Sequence, residues 1–302
     1  MSAKMKHREK KDALHRVMPA DIVLAVVCLI IMIVTLYPFL NVLAISFNDP
    51  MDTMRNINFL IPREFTLYNY SYLFREKNLF EPFLMSVART VIGTVTGLIC
   101  SAMLAYTLSR KDYFLVKPLS VLFIITMYVS GGLVPEYLLI MRTLGLGGKF
   151  IVYILPGLIS VWNVILLRSY MDGLPPALQE AAMIDGANDF VIWWKVVLPL
   201  CTPVLATVAL FIAVGQWNSF MDTYLYAKDL PTLQYILYEI TSKAQMRIDV
   251  HSSQAAEQMK NAVSPLSLRM AVTIVATVPI LVVYPFLQKY FVGGITLGAV
   301  KT

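Results

Sequence analysis

The sequence predicts an all-α integral membrane protein of six spanning helices with both termini cytoplasmic, and three observations predict it. The chain of 302 residues is 58% hydrophobic and 15% charged, with a mean hydropathy of +0.66. That is more apolar surface than a soluble core of this length hides. Its apolar residues gather into runs matching the roughly 20 helical residues needed to cross a bilayer, and Lys and Arg collect on one side of those runs.

The first run, roughly 20–46, follows a basic tail, residues 1–18, that carries Lys4, Lys6, Arg8, Lys10, Lys11 and Arg16. Basic residues beside a span stay inside, so the tail is expected in the cytoplasm. The run is too long for a removable signal and lacks a small-residue processing site, so it remains as the first helix. Residues 47–83 form the first outer loop. The second run, roughly 84–108, returns the chain inside at Arg110, Lys111, Asp112 and Lys117. The third and fourth, roughly 114–141 and 150–170, lead to an inner loop at 172–197. The fifth, roughly 198–221, leads to an outer loop at 222–267. The sixth, roughly 268–290, brings Lys289, Lys301 and a tail of residues 291–302 back to the cytoplasm.

Helix breakers interrupt four of these runs: Gly131, Gly132 and Pro135, then Pro156 and Gly157, then Pro203, then Pro279 and Pro285. Each proline removes a donor and clashes one turn back, so the helices should bend there, and the freed carbonyls need protein or water beside them. No Gly/Ser linker divides the chain, and residues 19–290 read as one transmembrane domain.

Composition also excludes functions. The net charge of +6 sits in the first tail, where anionic lipid headgroups account for it without nucleic acid. Cys28, Cys100 and Cys201 lie inside apolar runs without metal-ligand spacing, so no metal site is expected and they read as packing residues. Ion-coupled carriers need ionisable groups at mid-membrane depth, and the six runs hold almost none. Arg89 lies inside the second run, where it either snorkels or packs, or faces an anionic solute at the outer mouth. Nucleotide hydrolysis needs a phosphate loop ending in Gly-Lys-Ser/Thr, and Gly148-Lys149-Phe150 lacks both the hydroxyl and the earlier glycine. No nucleophile elbow or zinc-binding His pair occurs, so no catalytic residue is assigned and no cofactor is expected in this chain. Energy for transport has to come from a partner.

The inner loop carries Pro175-Pro176-Ala177-Leu178-Gln179-Glu180-Ala181-Ala182-Met183-Ile184-Asp185-Gly186-Ala187, then Phe190 and Leu198-Pro199. Pro175 and Pro176 set a helix start, Glu180 stands in early turns where the helix dipole favours an acid, and Gly186 offers a stop. Ala177 and Ala181, and Ala182 and Gly186, are four apart, which leaves a shallow surface that another protein can approach. Periodicity alone also fits a helix lying on the inner leaflet.

The wording Glu-Ala-Ala, then Asp-Gly-Ala, then an apolar helix ending in Leu-Pro resembles the coupling motif of permease subunits in type I ABC importers. Tyr106-Thr107-Leu108-Ser109-Arg110, Gln216-Trp217-Asn218-Ser219-Phe220 and Tyr290-Phe291-Val292-Gly293-Gly294-Ile295-Thr296-Leu297-Gly298-Ala299-Val300-Lys301 are similar to the carbohydrate-uptake branch, the maltose-type permeases. Ser130-Gly131-Gly132-Leu133-Val134-Pro135 and Gly215-Gln216-Trp217-Asn218 resemble a subgroup handling oligosaccharides from plant or algal polysaccharides, some acidic. Asp222 departs from the Pro-Leu common after the tryptophan in maltose-type members, a departure that bears on the substrate.

The resemblance implies a coupling helix between spans four and five, with Glu180, Ala181, Ala182, Asp185, Gly186 and Ala187 seated in a cleft of an ATPase subunit. It implies as partners a second, related permease, two ATPase subunits that hold ATP and Mg, and an extracytoplasmic solute-binding protein, all around a bacterial plasma membrane. Tyr235, Tyr238, Gln245 and Gln254 of the second outer loop are then candidates to touch the binding protein. Polar residues inside spans are costly without partners, so Asn41, Asn163, Gln216 and Asn218 are candidates to line a pathway, with Trp162 and Trp217 able to stack on sugar rings. The same residues also fit interhelical hydrogen bonding and interface anchoring. An ion-coupled transporter and a non-transporting membrane scaffold or sensor are the competing readings.

Overall fold

The structure is a computed structural model that describes residues 19–55, 60–75, 78–110, 112–249 and 264–299. Among these the chain is helical, with one isolated antiparallel bridge between Asn48 and Phe65 and no strand. Two compact units are formed, one by Met1–Asn69 with Gln258–Ile274, the other by Tyr70–Glu257 with Val275–Thr302.

In the first unit, α1 (Pro19–Ser46) is apolar around its whole circumference, exposing Val23, Ile30, Val34 and Phe39 alike. Its 28 residues reach about 42 Å at 1.5 Å per residue, enough to cross a bilayer. After it the expected outer loop is a folded knot around Asn48. The Asn48 side-chain Oδ1 accepts from the backbone N–H groups of Arg63 (2.8 Å) and Glu64 (2.9 Å), and its Nδ2 donates to Asp52 and Thr53, both at 2.9 Å. Asp49 caps α2 (Pro50–Arg55) by accepting from the N–H of Met51 at 2.8 Å.

α3 (Tyr68–Arg75) begins at the end of the first unit, and in the second it leads to α4 (Phe80–Ser109), the central helix. Arg89, Gly93, Gly97, Ser101 and Ala105 fall four apart on its buried side, so that small residues form a row against which other helices close in. A Cβ on Gly93 would lie 2.9 Å from the Gln216 side chain, and one on Gly97 would lie 3.3 Å from the Leu158 carbonyl. A side chain at either position would have to push its neighbour aside, so both glycines favour close approach.

The expected third span is two helices. α5 (Val116–Tyr128) and α6 (Leu133–Thr143) meet at 111°, and the break falls at Gly132, whose φ of +85° is left-handed, rather than at Pro135, which the first turn of α6 accommodates. The fourth run is not one helix: a 3-10 turn (Phe150–Tyr153) and an irregular stretch with Pro156 and Gly157 precede α7 (Val161–Met171), which has 11 residues.

α8 (Pro176–Ile184) lies in the loop expected on the inner side. α9 (Asp189–Leu200) and α10 (Thr202–Asn218) meet at 86° at Cys201, with Pro203 again in a first turn. α11 (Met221–Tyr226) and α12 (Leu233–Asp249) follow, then α13 (Pro265–Ala299), which runs continuously through Pro279 and Pro285. The expected bend there does not break the helix.

Among the described residues three helices are long and apolar enough to cross a membrane, within Ala20–Ser46, Phe80–Ser109 and Leu266–Pro285, and counting each bent pair as one span raises the number to five. The expected count of six is thus not reproduced helix for helix, because glycine and proline divide the third, fourth and fifth runs.

The core of the second unit joins Ala102, Ala105 and Tyr106 of α4, Val164, Leu167 and Met171 of α7, Ile192, Trp193 and Val197 of α9, and Val204 and Val208 of α10. Cys201 is buried in it, and Cys28 and Cys100 are also unpaired.

Candidate coupling segment and pathway cavity

α8 is closed at both ends by local chemistry. Pro175 holds an extended backbone and Pro176 takes the first helical position, where no N–H is needed. At the other end Gly186 has φ +81°, its N–H donates to the Met183 carbonyl and that of Ala187 to the Ala182 carbonyl, both at 3.0 Å. This pair of bonds is the Schellman closure, and its usual apolar contact is present, since Ala182 and Ala187 both pack against the core.

The six expected coupling residues therefore divide. Ala182 and Ala187 face inward, whereas Glu180, Ala181, Asp185 and Gly186 are exposed. Ala177, Ala181 and Ile184 share the outward face, and Ile184 is 87% exposed. Leu178 and Phe190 add exposed apolar area nearby. An isolated apolar side chain on a surface is ordinary, but this helix presents several together.

Arg110, directly after α4, ties the segment down. It pairs with Asp112 through Nε (3.0 Å) and Nη2 (2.9 Å), while Nη1 donates to Gln179 of α8 at 3.5 Å and stands 3.5 Å from Asp189. The hydrogen bonds from Arg110 hold the Asp112 carboxyl below its ordinary pKa.

The second feature is a cavity of about 630 Å³ within the second unit. Trp162, Asn163 and Gln216 line it, and Trp162 is 59% exposed. Beside them stand Arg89, for which the sequence left snorkelling, packing and a solute-facing role open, Asp222, and Glu136, to which it gave no role. Arg89 is 2% exposed, and its guanidinium lies 4.4 Å from the centre of the Tyr153 ring. Nε and Nη2 donate to Gln216 Oε1 at 3.1 and 2.9 Å, Nη1 donates to Asp222 Oδ1 at 3.1 Å and to the Ser219 carbonyl at 3.4 Å, and Nη2 also donates to Asp222 Oδ2. Gln216 in turn donates to the Tyr153 carbonyl at 3.2 Å. Arg89 is packed and paired rather than snorkelling, and it is not held out to solute. Two oddities of the sequence, a cation in a span and an acid after the tryptophan motif, are each other's partner.

The other expected pathway residues are elsewhere. Trp217 is 7% exposed, donates to the Ala276 carbonyl at 2.9 Å and meets Phe83 edge-on, which is a helix-packing role. Asn218 is exposed and accepts from Gln234 at 3.2 Å. Asn41 is half-buried on α1, in the first unit. Of the outer-loop candidates, Tyr235 is half-buried on α12 and Tyr238 stacks on Phe220 at 4.8 Å, beside Tyr224 with Lys228 over its ring. The backbone of Gln245 belongs to α12, and Gln254, like the basic first tail and Lys301, lies outside the described residues.

Bent and broken spanning helices around a cavity, with a capped inner helix rooted in the same core, define a membrane transport subunit. No family model matches the chain. Over 272 residues it is 38% identical to the polygalacturonan/rhamnogalacturonan transport system permease protein YtcP of Bacillus subtilis, a match spanning 89% of this chain and 93% of that protein. It is 29% identical over 279 residues to the arabinooligosaccharides transport system permease protein AraQ of Halalkalibacterium halodurans, covering 89% and 92%. Among solved structures it superposes, with a TM-score of 0.79 and 29% identity over 91% of this chain and 99% of the other, on a bacterial ABC transporter involved in the import of the acidic polysaccharide alginate. The chain belongs to the family of sugar ABC transport system permeases, multi-pass subunits of the bacterial inner membrane.

Proposed function

We propose that this chain forms half of the pathway of a binding-protein-dependent importer that brings an oligosaccharide, acidic and of plant or algal polysaccharide origin, into the cytoplasm. The names of its relatives support the substrate class, since one transports polygalacturonan and rhamnogalacturonan and another system imports alginate. Both termini and α8 lie on the cytoplasmic side, and the six expected crossings are completed by the bent pairs and the broken fourth run. A second permease supplies the other wall, two ATPase subunits supply ATP hydrolysis, and a solute-binding protein delivers the sugar to the outer side, where Tyr235 and Tyr238 stand.

The observation that carries this reading is the Schellman-closed α8, rooted in the core through Ala182 and Ala187 and presenting Glu180, Ala181 and Ile184 outward. A helix held at both ends and pressed into the core moves as a lever: force on its outer face reaches α4, α7 and α9 through the shared cluster. Asp185 and Gly186 fix its length. Closure of the ATPases on ATP would then push α8 and rock the unit, and hydrolysis would reset it.

The test is uptake by the assembled complex in vesicles with Glu180→Lys. Transport is expected to fall at least tenfold while assembly persists; unchanged uptake, or uptake that survives ATP depletion and follows an ion gradient, overturns the reading in favour of a carrier or a scaffold.

A further inference from the structure

The cavity wall carries charge of a sign that its most buried residue conceals. Arg89 is the sole cation among the described residues that line the cavity. A guanidinium has five N–H donors, and here Gln216 takes two, Asp222 two and the Ser219 carbonyl one. At 2% exposure and with its flat face over Tyr153, it has no donor to offer a solute. What remains facing the space is the carboxylates of Asp222 and Glu136, with neutral polar side chains such as Asn163 and Tyr226 and the broad face of Trp162 beside them. Two carboxylates against one cation leave the wall negative. An ionised uronate set against it would meet like charge, which is unfavourable.

We infer that this cavity receives the uncharged, hydroxyl-bearing face of a saccharide, and that any carboxylate of the substrate is turned away from this chain. The inference rests on the import reading above and narrows it. Sugar hydroxyls are donors that Asp222 and Glu136 can accept, and the apolar face of a pyranose ring fits the exposed indole of Trp162. Arg89 is then a positioning residue. By holding both oxygens of Asp222 it fixes the direction in which that carboxylate meets a solute, and through Gln216 it fixes the turn that carries Tyr153. Acidic substrates would need their cationic partners on another surface.

The potential can be measured apart from transport. Ser160 lines the cavity, is exposed, and caps α7 without a side-chain hydrogen bond, so it can carry a reporter. In the assembled complex, with Cys28, Cys100 and Cys201 changed to Ser, Ser160→Cys is modified by a trimethylammonium thiosulfonate and by a sulfonate thiosulfonate, each rate normalised to a small free thiol. The cationic reagent is expected to be favoured about tenfold, since a cleft lined by one sign of charge concentrates counter-ions by that order or more. Glu136→Gln should lower the preference several-fold. A preference for the anionic reagent, or none, overturns the inference.

A second measurement uses a galacturonate oligomer and its carboxyl-reduced, neutral counterpart as protectants of the same thiol. Similar protection by both supports the inference. Protection by the charged form alone would mean that Arg89 reads the carboxylate, and protection by neither would mean that no sugar meets this wall; each overturns it. Both outcomes leave the import reading standing so long as uptake depends on Glu180.

Discussion

Arg110 and Asp189 meet at 3.5 Å, joining the end of α4 to the start of α9, with α8 between them in sequence. The same Nη1 reaches Gln179 on α8. The contact is the polar counterpart of the apolar root formed by Ala182 and Ala187, and it runs from the inner helix to the central one.

Removing that contact should loosen coupling more than it loosens the fold. Asp189 is 72% exposed, so the ion pair itself contributes no more than about 1 kcal/mol to stability. Arg110→Ala is expected to leave ATP hydrolysis by the assembled complex near wild type and to lower sugar imported per ATP several-fold. Paired measurements of uptake and phosphate release in vesicles check it. Arg110→Lys should restore part of the loss, because it keeps charge but not the fork.

The Arg110 to Asp112 pair gives a pH dependence of known sign. Arg110 lowers the folded-state pKa of Asp112, so its contribution is present above the unfolded value and is lost as pH falls through the lowered one. The effect is small, because the Asp112 side chain is 69% exposed. Thermal melts of the wild type should decline slightly on acidification below the ordinary carboxylate range, and Arg110→Ala should remove that component of the decline.

Breaking the buried pair from one side should be costly. Arg89→Ala leaves Asp222 without its partner, and Asp222→Ala leaves a buried guanidinium unpaired; each is expected to destabilise by about 3–5 kcal/mol. Arg89→Met combined with Asp222→Leu should be milder than the sum of the single changes, because no charge is then left alone. Detergent-solubilised melts of the four proteins form the cycle that measures it.

Gly186 is fixed by backbone conformation alone. At φ +81° an added Cβ meets no neighbouring atom, yet the conformation itself disfavours any side chain by about 1–2 kcal/mol. Gly186→Ala should therefore fray the last turn of α8 without disturbing the core. Faster proteolysis between Ile184 and Phe190, with an unchanged global melt, is the expected result.

Much of this was legible along the chain. The first, second and sixth apolar runs marked long helices, and the Pro-Pro start and Gly stop of α8 were set by residues that act on their own backbone. Gly132 and Cys201 show the limit of such reading. A breaker announces that a helix bends, but whether it breaks at 111° or 86°, or the helix continues unbroken as at Pro279, depends on what packs against it. Trp217 was a sugar-stacking candidate by type and became a packing residue because Ala276 offers its carbonyl.

What the sequence determined by itself was therefore local: how apolar each run is, where its helix can begin and end, and which segment is built to be gripped. What only the tertiary structure decided was which distant side chains meet. Arg89 and Asp222 stand 133 positions apart, and no periodicity relates them. They pair because Gly93 lets Gln216, and the chain beyond it, come close against α4, where an unpartnered charge is too costly to leave alone.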